Sequence, residues 1–186
     1  MTTVKAAKAE ASFQDPDNKT SVELPGGIRY QGMEMKLSPV YGLTYQYEYP
    51  AAFIPEHVFE WRDKTNKKHL FRMSIDPVKA FSLSGKTISQ SKPTMLHWDG
   101  TPLAKGETMV MMWENTGEGL TVPLEVTSTS GVPQIEIPAA KLKDIVPGNW
   151  TLYLVRKKLT KDNIDGMPAN GITEFYSKAI PVTVTK

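Results

Sequence analysis

The sequence of 186 residues contains no cysteine. This absence excludes disulfide bonds, thiolate-bound zinc and thiol nucleophiles. Apolar runs are also short, far below the roughly 18–20 residues that a membrane-spanning helix needs. The formal net charge is only +2, from 22 basic and 20 acidic residues, and neither sign is concentrated in one part of the chain. A nucleic acid is therefore not expected as a partner, since phosphate binding requires a basic surface.

The first residues, MTTVKAAKAEASF, contain lysines but lack the apolar segment of a secretory signal. Two interpretations stay open. The chain is either not exported, or it is a mature form to which Met1 was added. The first interpretation is compatible with a cytoplasmic or virion protein. The second is compatible with an extracellular, cell-surface or periplasmic protein.

Signals for catalysis and for cofactors are weak. The histidines are His57, His69 and His97, and none has the spacing to a second ligand that a zinc site requires. No G-x-S-x-G segment is present for a nucleophilic serine. The sequence therefore predicts a protein that is not an enzyme and that has neither a cofactor nor a metal site.

The segment AFSLSGKT (80–87) resembles a phosphate-binding loop, but Ala80 replaces its first glycine. Such a loop must be followed by a helix, so that backbone N–H groups surround the phosphate. The following residues, ISQSKPTML, contain Pro93 and have no helical periodicity. We therefore expect Ser84, Gly85 and Lys86 to form a plain turn that binds no nucleotide.

Short segments of alternating polar and apolar residues dominate the chain from residue 20 onward. Fourteen prolines and thirteen glycines separate these segments. Many short strands with frequent turns are typical of antiparallel sandwiches and barrels. The polar stretch 64–67 predicts a hairpin turn, and Asp76-Pro77 predicts a joint. The predicted domains are an N-terminal arm (1–12), a β-rich unit (13–75) and a β-sandwich (76–186).

One stretch, PAAKLKDIVPGNWTLYLVRK, narrows the fold class. It resembles the pattern that precedes a late strand in immunoglobulin-like and fibronectin-type-III-like domains. The matching positions are Leu142, Ile145, Pro147, Gly148, Trp150, Leu152 and Leu154. Trp150 departs from the pattern, because those families usually have a tyrosine there. The resemblance implies an all-β protein, an immunoglobulin-like antiparallel β-sandwich preceded by a smaller β-rich unit, and it implies no function.

The segment YGLTYQYEYP (41–50) places Tyr41, Leu43, Tyr45, Tyr47 and Tyr49 on one face of a strand. Three interpretations stay open. The rings pack in the core, they contact another protein, or they stack against successive sugars of a glycan. Buried tyrosines need partners for their hydroxyl groups, so we expect Tyr45, Tyr47 and Tyr49 to be more exposed than the alternation alone implies. The candidate binding surface consists of Tyr45, Tyr47, Tyr49 and Trp61.

These features favour a non-enzymatic structural or binding module of a bacterial or viral surface assembly. Its expected partner is a protein, either a second copy of the chain or another surface component. A carbohydrate-binding accessory module with a glycan partner is the first alternative. An intracellular structural protein of a virion is the second.

Overall fold

A computed structural model describes residues 6–15, 17–38, 42–50, 52–115, 117–128 and 130–186. Tyr41, which the sequence places on the aromatic face, lies outside these residues. The chain divides into two compact units. The first unit comprises Met1–Ser74 and Lys161–Asn170, and the second unit comprises Ile75–Thr160 and Gly171–Lys186.

The described residues of the first unit form seven strands in two antiparallel sheets. The strands are β1 (Ala6–Ser12), β2 (Ile28–Tyr30), β3 (Met33–Glu34), β4 (Lys36–Ser38), β5 (Thr44–Pro50), β6 (Glu56–Arg62) and β7 (Lys68–Ser74). One sheet has the order β1-β5-β4, and the other has the order β3-β2-β6-β7. The predicted turn at 64–67 connects β6 and β7, which pair in register as a hairpin.

Small residues on β1 make room for the tyrosines on β5. The register pairs Ala11 with Tyr45, Ala9 with Tyr47 and Ala7 with Tyr49. Directly opposed residues of an antiparallel pair lie on the same face, so each large ring has a small neighbour. This face packs onto a core that is rich in aromatic residues. The core residues are Ala9, Ile28, Tyr30, Met35, Tyr45, Phe59, Trp61, Phe71 and Met73.

The described residues of the second unit form nine strands and one short helix. They are β8 (Ala80–Leu83), β9 (Thr87–Ser89), β10 (Thr94–Asp99), β11 (Glu107–Asn115), β12 (Leu120–Val126), β13 (Gln134–Ile137), α1 (Ala139–Leu142), β14 (Gly148–Ile164), β15 (Met167–Tyr176) and β16 (Ile180–Thr185). The tip of the β14–β15 hairpin, 161–170, belongs to the first unit.

The strand order of the second unit is that of an immunoglobulin-like sandwich. One sheet has the order β13-β10-β8, and the other has the order β12-β11-β14-β16-β9, with β15 paired to β14. Neighbouring strands along these two orders run antiparallel, except for β9 and β16, which run parallel. In the strand nomenclature of sandwiches, the first sheet is E-B-A and the second is C′-C-F-G with an additional parallel strand. The all-β, immunoglobulin-like fold class predicted from the sequence is confirmed.

The motif around Trp150 has its predicted place in the core. Trp150, Leu152 and Leu154 are buried on one face of β14, as predicted. Gly148 begins this strand with φ of +149°, a conformation that residues with a Cβ rarely adopt. The indole Nε1 of Trp150 donates a hydrogen bond of 2.8 Å to the carbonyl oxygen of Val146. The tryptophan thus fills the core and also anchors the preceding turn through its N–H.

Two segments outside the predicted β-rich unit (13–75) contribute to the first unit. Ala6–Ser12, predicted as an arm, is the strand β1 and pairs with β5 along its full length. The segment 161–170, predicted within the sandwich, contributes Ile164 and Ala169 to the packing around the first unit's core. The division of the chain into folding domains stays a prediction. Within the described part of the chain, no helix is long and apolar enough to cross a membrane.

Candidate binding surface

The tyrosines of β5 differ in exposure, although they alternate regularly. Tyr45 is only 3% exposed. Its hydroxyl group accepts a hydrogen bond of 2.9 Å from the backbone N–H of Leu24. Tyr47 and Tyr49 are only partly buried and pack against the edge of the core. Tyr45 is therefore a core residue whose polar atom is satisfied inside the first unit.

Trp61 is also buried. Its ring makes an edge contact with Phe13 at a centroid distance of 5.5 Å and stacks on His69 at 5.5 Å. The expectation that Tyr45 and Trp61 belong to an exposed surface is thus corrected. Both rings contact Phe13, which follows β1, and alternation along one strand does not show which residues from elsewhere in the chain cover it. Whether Tyr47 and Tyr49 bind another molecule stays a prediction.

The partly exposed tyrosines belong to a larger aromatic group, which we call the tyrosine rim. It consists of Tyr30, Tyr47, Tyr49 and His57. Tyr47 and Tyr49 stack at 6.4 Å with 16° between their planes. The ring of Tyr30 lies 5.9 Å from Tyr47, 5.3 Å from Tyr49 and 5.9 Å from His57. The buried Tyr30 is therefore the centre against which the three more exposed rings pack.

A hydrogen bond of 2.6 Å joins the Tyr30 hydroxyl group to Nδ1 of His57. Burial raises the pKa of Tyr30, and the neighbouring Tyr49 raises it further. Burial lowers the pKa of His57. Both side chains are consequently neutral near pH 7, and the tautomer of His57 decides which of the two atoms donates the hydrogen bond.

Exposed apolar side chains adjoin the rim residues in the sheet or in the chain. Met33 is 55% exposed and pairs with Tyr30 across β2 and β3. Phe53 is 47% exposed and follows β5 in the chain. Apolar area beside a few polar donors is the usual composition of a contact surface. Tyr30, His57, Met33 and Phe53 were not predicted as site residues, because no local pattern marks which strands lie beside β5.

The structure does not place the SGK segment before a helix. Ser84, Gly85 and Lys86 connect two strands, β8 and β9. The carbonyl oxygen of Lys86 accepts a hydrogen bond of 3.0 Å from the backbone N–H of Thr183. Among the described residues, no group of three or more histidines and carboxylates is placed to hold a metal ion. That the protein binds no nucleotide and no metal stays a prediction.

Comparisons with known proteins identify no family. No protein-family model matches the chain, and no curated protein matches it. Among solved structures, the chain is similar to the FN1-FN3 domains of chicken CNTN1, with 11% sequence identity and a TM-score of 0.29. The match covers 89% of this chain and 60% of the other. The chain thus spans about 60% of the length of the structure that it matches.

Proposed function

We propose that this protein is a non-enzymatic binding or structural module and that the tyrosine rim is its contact surface for another protein. The observation that carries this proposal is the partial exposure of Tyr47 and Tyr49 on a buried, hydrogen-bonded Tyr30. Tyrosine offers a large contact area with few rotatable bonds. Rings that are already held in place lose little conformational entropy when a partner binds.

The composition of the rim favours a protein over a glycan. Tyr47 and Tyr49 stack on each other and pack on Tyr30, which occupies area that a sugar ring would need. The exposed Met33, which pairs with Tyr30 across β2 and β3, adds apolar area, as in the centre of a protein interface. The ring nitrogens of His57 and the tyrosine hydroxyl groups provide polar atoms that can fix the orientation of a partner. We therefore do not propose carbohydrate binding as a second function, but the test below can detect it.

The proposal includes a place of action, namely a bacterial or viral surface assembly. Self-association is the simplest form of such an assembly, because every copy of the chain carries the same rim. A contact between the rim and another surface component is the alternative form. Both forms require that Tyr47 contributes to binding and that the fold survives its replacement.

The test measures association as a function of concentration, by size-exclusion chromatography with light scattering. Tyr47→Ala should weaken association by about 1–4 kcal/mol, the range found for residues that anchor an interface. Tyr47→Phe retains the ring that packs on Tyr30, so it separates the role of the hydroxyl group from that of the ring. Tyr176→Ala is the matched control, because Tyr176 is an exposed tyrosine of the second unit. Near-UV circular dichroism checks that each variant is folded.

If the wild type is monomeric, the rim does not mediate self-association, and the test continues with other partners. The wild type and Tyr47→Ala are then compared on a glycan array and in selections from a displayed peptide library. Peptides whose binding requires Tyr47 support the proposal. Glycan binding that requires Tyr47 replaces it with the carbohydrate-binding function. A monomer for which neither screen yields a ligand that depends on Tyr47 contradicts the proposed surface.

A further inference from the structure

His69 on β7 joins two separate turns of the first unit through both of its ring nitrogens. Nε2 lies 3.0 Å from Oδ2 of Asp63, which follows β6. Nδ1 lies 2.9 Å from Oδ2 of Asp165, at the tip of the β14–β15 hairpin. The imidazole is buried and stacks on Trp61. The buried imidazole of His69 therefore bridges two carboxylates that are far apart in the sequence.

The bridge depends on the number of ring protons. An ionised carboxylate only accepts hydrogen bonds, so both nitrogens of His69 must donate. A neutral imidazole has one N–H, whereas the imidazolium ion has two. When the ring is neutral, one nitrogen directs a lone pair at a carboxylate oxygen, and attraction at that side becomes repulsion. The complete bridge therefore exists only while His69 carries two ring protons.

Neighbouring groups keep both carboxylates ionised and oriented. Oδ1 of Asp63 accepts hydrogen bonds from the backbone N–H and the hydroxyl group of Thr65, at 2.8 and 2.7 Å, and from the backbone N–H of Lys67 at 3.0 Å. Oδ1 of Asp165 lies 2.9 Å from Nζ of Lys67. The His69 hydrogen bond, then that of Thr65, holds the pKa of Asp63 well below its usual value. Lys67, followed by His69, lowers the pKa of Asp165.

Among the described residues, no other charged side chain is hydrogen-bonded to the cluster of His69, Asp63, Asp165 and Lys67. Trp61 is uncharged, and the nearby Arg62 donates instead to the carbonyl oxygen of Asn66 at 2.8 Å. With protonated His69, the two carboxylates are balanced by His69 and Lys67. With neutral His69, one negative charge is left unbalanced. The charge count therefore favours the same protonation state as the hydrogen bonds.

The turn that His69 holds has an uncommon backbone conformation. Asp165 has φ of +53°, in the left-handed region that few residues other than glycine adopt. Gly166 follows with φ of +87°, and its N–H donates to Oδ1 of Asn163 at 2.8 Å. Ile164 and Ala169 flank this turn and pack on the core of the first unit. Release of Asp165 would therefore loosen a turn that covers apolar core residues.

We propose that His69 is a pH-sensitive latch. With two ring protons it holds the hairpin tip 161–170 against the β6–β7 turn, and loss of one proton releases the tip. This device is separate from the tyrosine rim, and its test does not depend on any binding partner.

The test combines two measurements on the full chain over a pH series from about 5 to about 9, which spans ordinary imidazole titration. Nuclear magnetic resonance of the ring nitrogens reports the protonation of His69. Hydrogen exchange, corrected for its intrinsic pH dependence, reports protection of the amides in 161–170. Protection should fall as His69 loses its second proton, by up to about tenfold per pH unit, because release of the tip is linked to one proton.

Asp165→Asn is the decisive variant. An asparagine side chain can either donate or accept, so it can pair with a neutral imidazole. This variant should keep the tip protected and should remove the dependence on pH. His69→Gln should leave the tip less protected at every pH. His97→Gln, at an exposed position of the second unit, is the control and should behave like the wild type.

Two results would overturn the latch. One is a His69 ring that carries a single proton over the whole series while the tip stays protected. The other is a pH dependence of tip protection that Asp165→Asn leaves unchanged. Because Asp165 is partly exposed, this second result is available even if His69→Gln does not fold.

Discussion

The two units bury different kinds of side chain. The core of the first unit is built around Tyr30, Tyr45, Phe59, Trp61 and Phe71. The core of the second unit is mostly aliphatic and sulfur-containing, with tryptophan as its aromatic residue. Its fully buried members include Leu96, Met109, Met111, Trp113, Ile137, Leu142, Ile145, Leu152 and Leu154. Hydroxyl and imidazole groups accompany the first set of rings into the interior, and each of them needs a hydrogen-bond partner.

The difference in core composition determines which buried groups of each unit can respond to a ligand or to pH. In the first unit, Tyr30, Tyr45 and His69 all depend on specific partners. In the second unit, the buried Arg156 pairs with Glu107 and also donates to the carbonyl oxygens of Thr101 and Pro102. These partners satisfy the guanidinium group inside the fold. The first unit therefore has polar groups in its interior where the second unit has mostly apolar side chains. We expect these polar groups to be the ones that respond to a ligand or to pH.

The strongest test of the second core is Trp150→Ala. Trp150 is buried, and its loss leaves a cavity and also removes the hydrogen bond to Val146. We expect the free energy of unfolding to fall by about 3–5 kcal/mol, as for other large core truncations. Urea unfolding followed by circular dichroism measures this change.

Ile172→Ala is the control for this prediction, because Ile172 is 64% exposed in the same unit. Its effect should lie within about 0.5 kcal/mol, as is usual for surface positions. Equal effects of the two substitutions would contradict the assignment of Trp150 to a tightly packed core.

The second core was the easier one to predict from sequence. The motif predicted the inward residues Trp150, Leu152 and Leu154 of β14, and its Pro147 and Gly148 predicted the turn before that strand. The buried face of β14 is apolar at Trp150, Leu152 and Leu154, and the buried Arg156 then continues the same face. The hydrogen bond of the Trp150 indole to the turn could not be predicted, because the usual residue at that position is tyrosine.

The candidate surface could be predicted only in part. Tyr45, Tyr47 and Tyr49 have the same pattern, yet only Tyr45 is fully buried, because burial depends on how far the opposite sheet covers each ring. The partner of Tyr30 is His57, 27 residues away in the sequence. Asp165 is 96 residues from His69. No local periodicity contains information on pairs so far apart.

The next prediction tests whether hydroxyl groups matter in the aromatic core. Tyr30→Phe retains the ring but removes the hydrogen bond to His57 Nδ1. Leaving a buried polar atom without a partner costs about 1–3 kcal/mol, and we expect the lower end because His57 is only partly buried. Chemical denaturation of the wild type and the variant measures the difference.

Tyr176→Phe is the matched control for Tyr30→Phe. It removes a hydroxyl group that donates to Glu174 at an exposed position of the second unit, so its effect on stability should be small. If Tyr30→Phe changes the stability as little as this control, the buried hydroxyl group of Tyr30 does not stabilise the first core. The two cores would then differ in composition but not in the energetic role of their polar groups.

The smallest expected effect is a dependence on pH that arises from His57. Burial lowers its pKa in the folded chain, so below about pH 6.5, the ordinary value, the unfolded chain binds the proton more readily. The contribution of neutral His57 to stability is therefore complete above that pH, and it is lost as the pH falls through the lowered folded value. His69 has the opposite requirement, because its bridge needs the additional proton. His57→Gln isolates the first effect, since glutamine can accept from Tyr30 but gains no proton. Hydrogen exchange of the β6 amides should show less acid sensitivity in this variant than in the wild type, and identical profiles would mean that His57 does not couple the first core to pH.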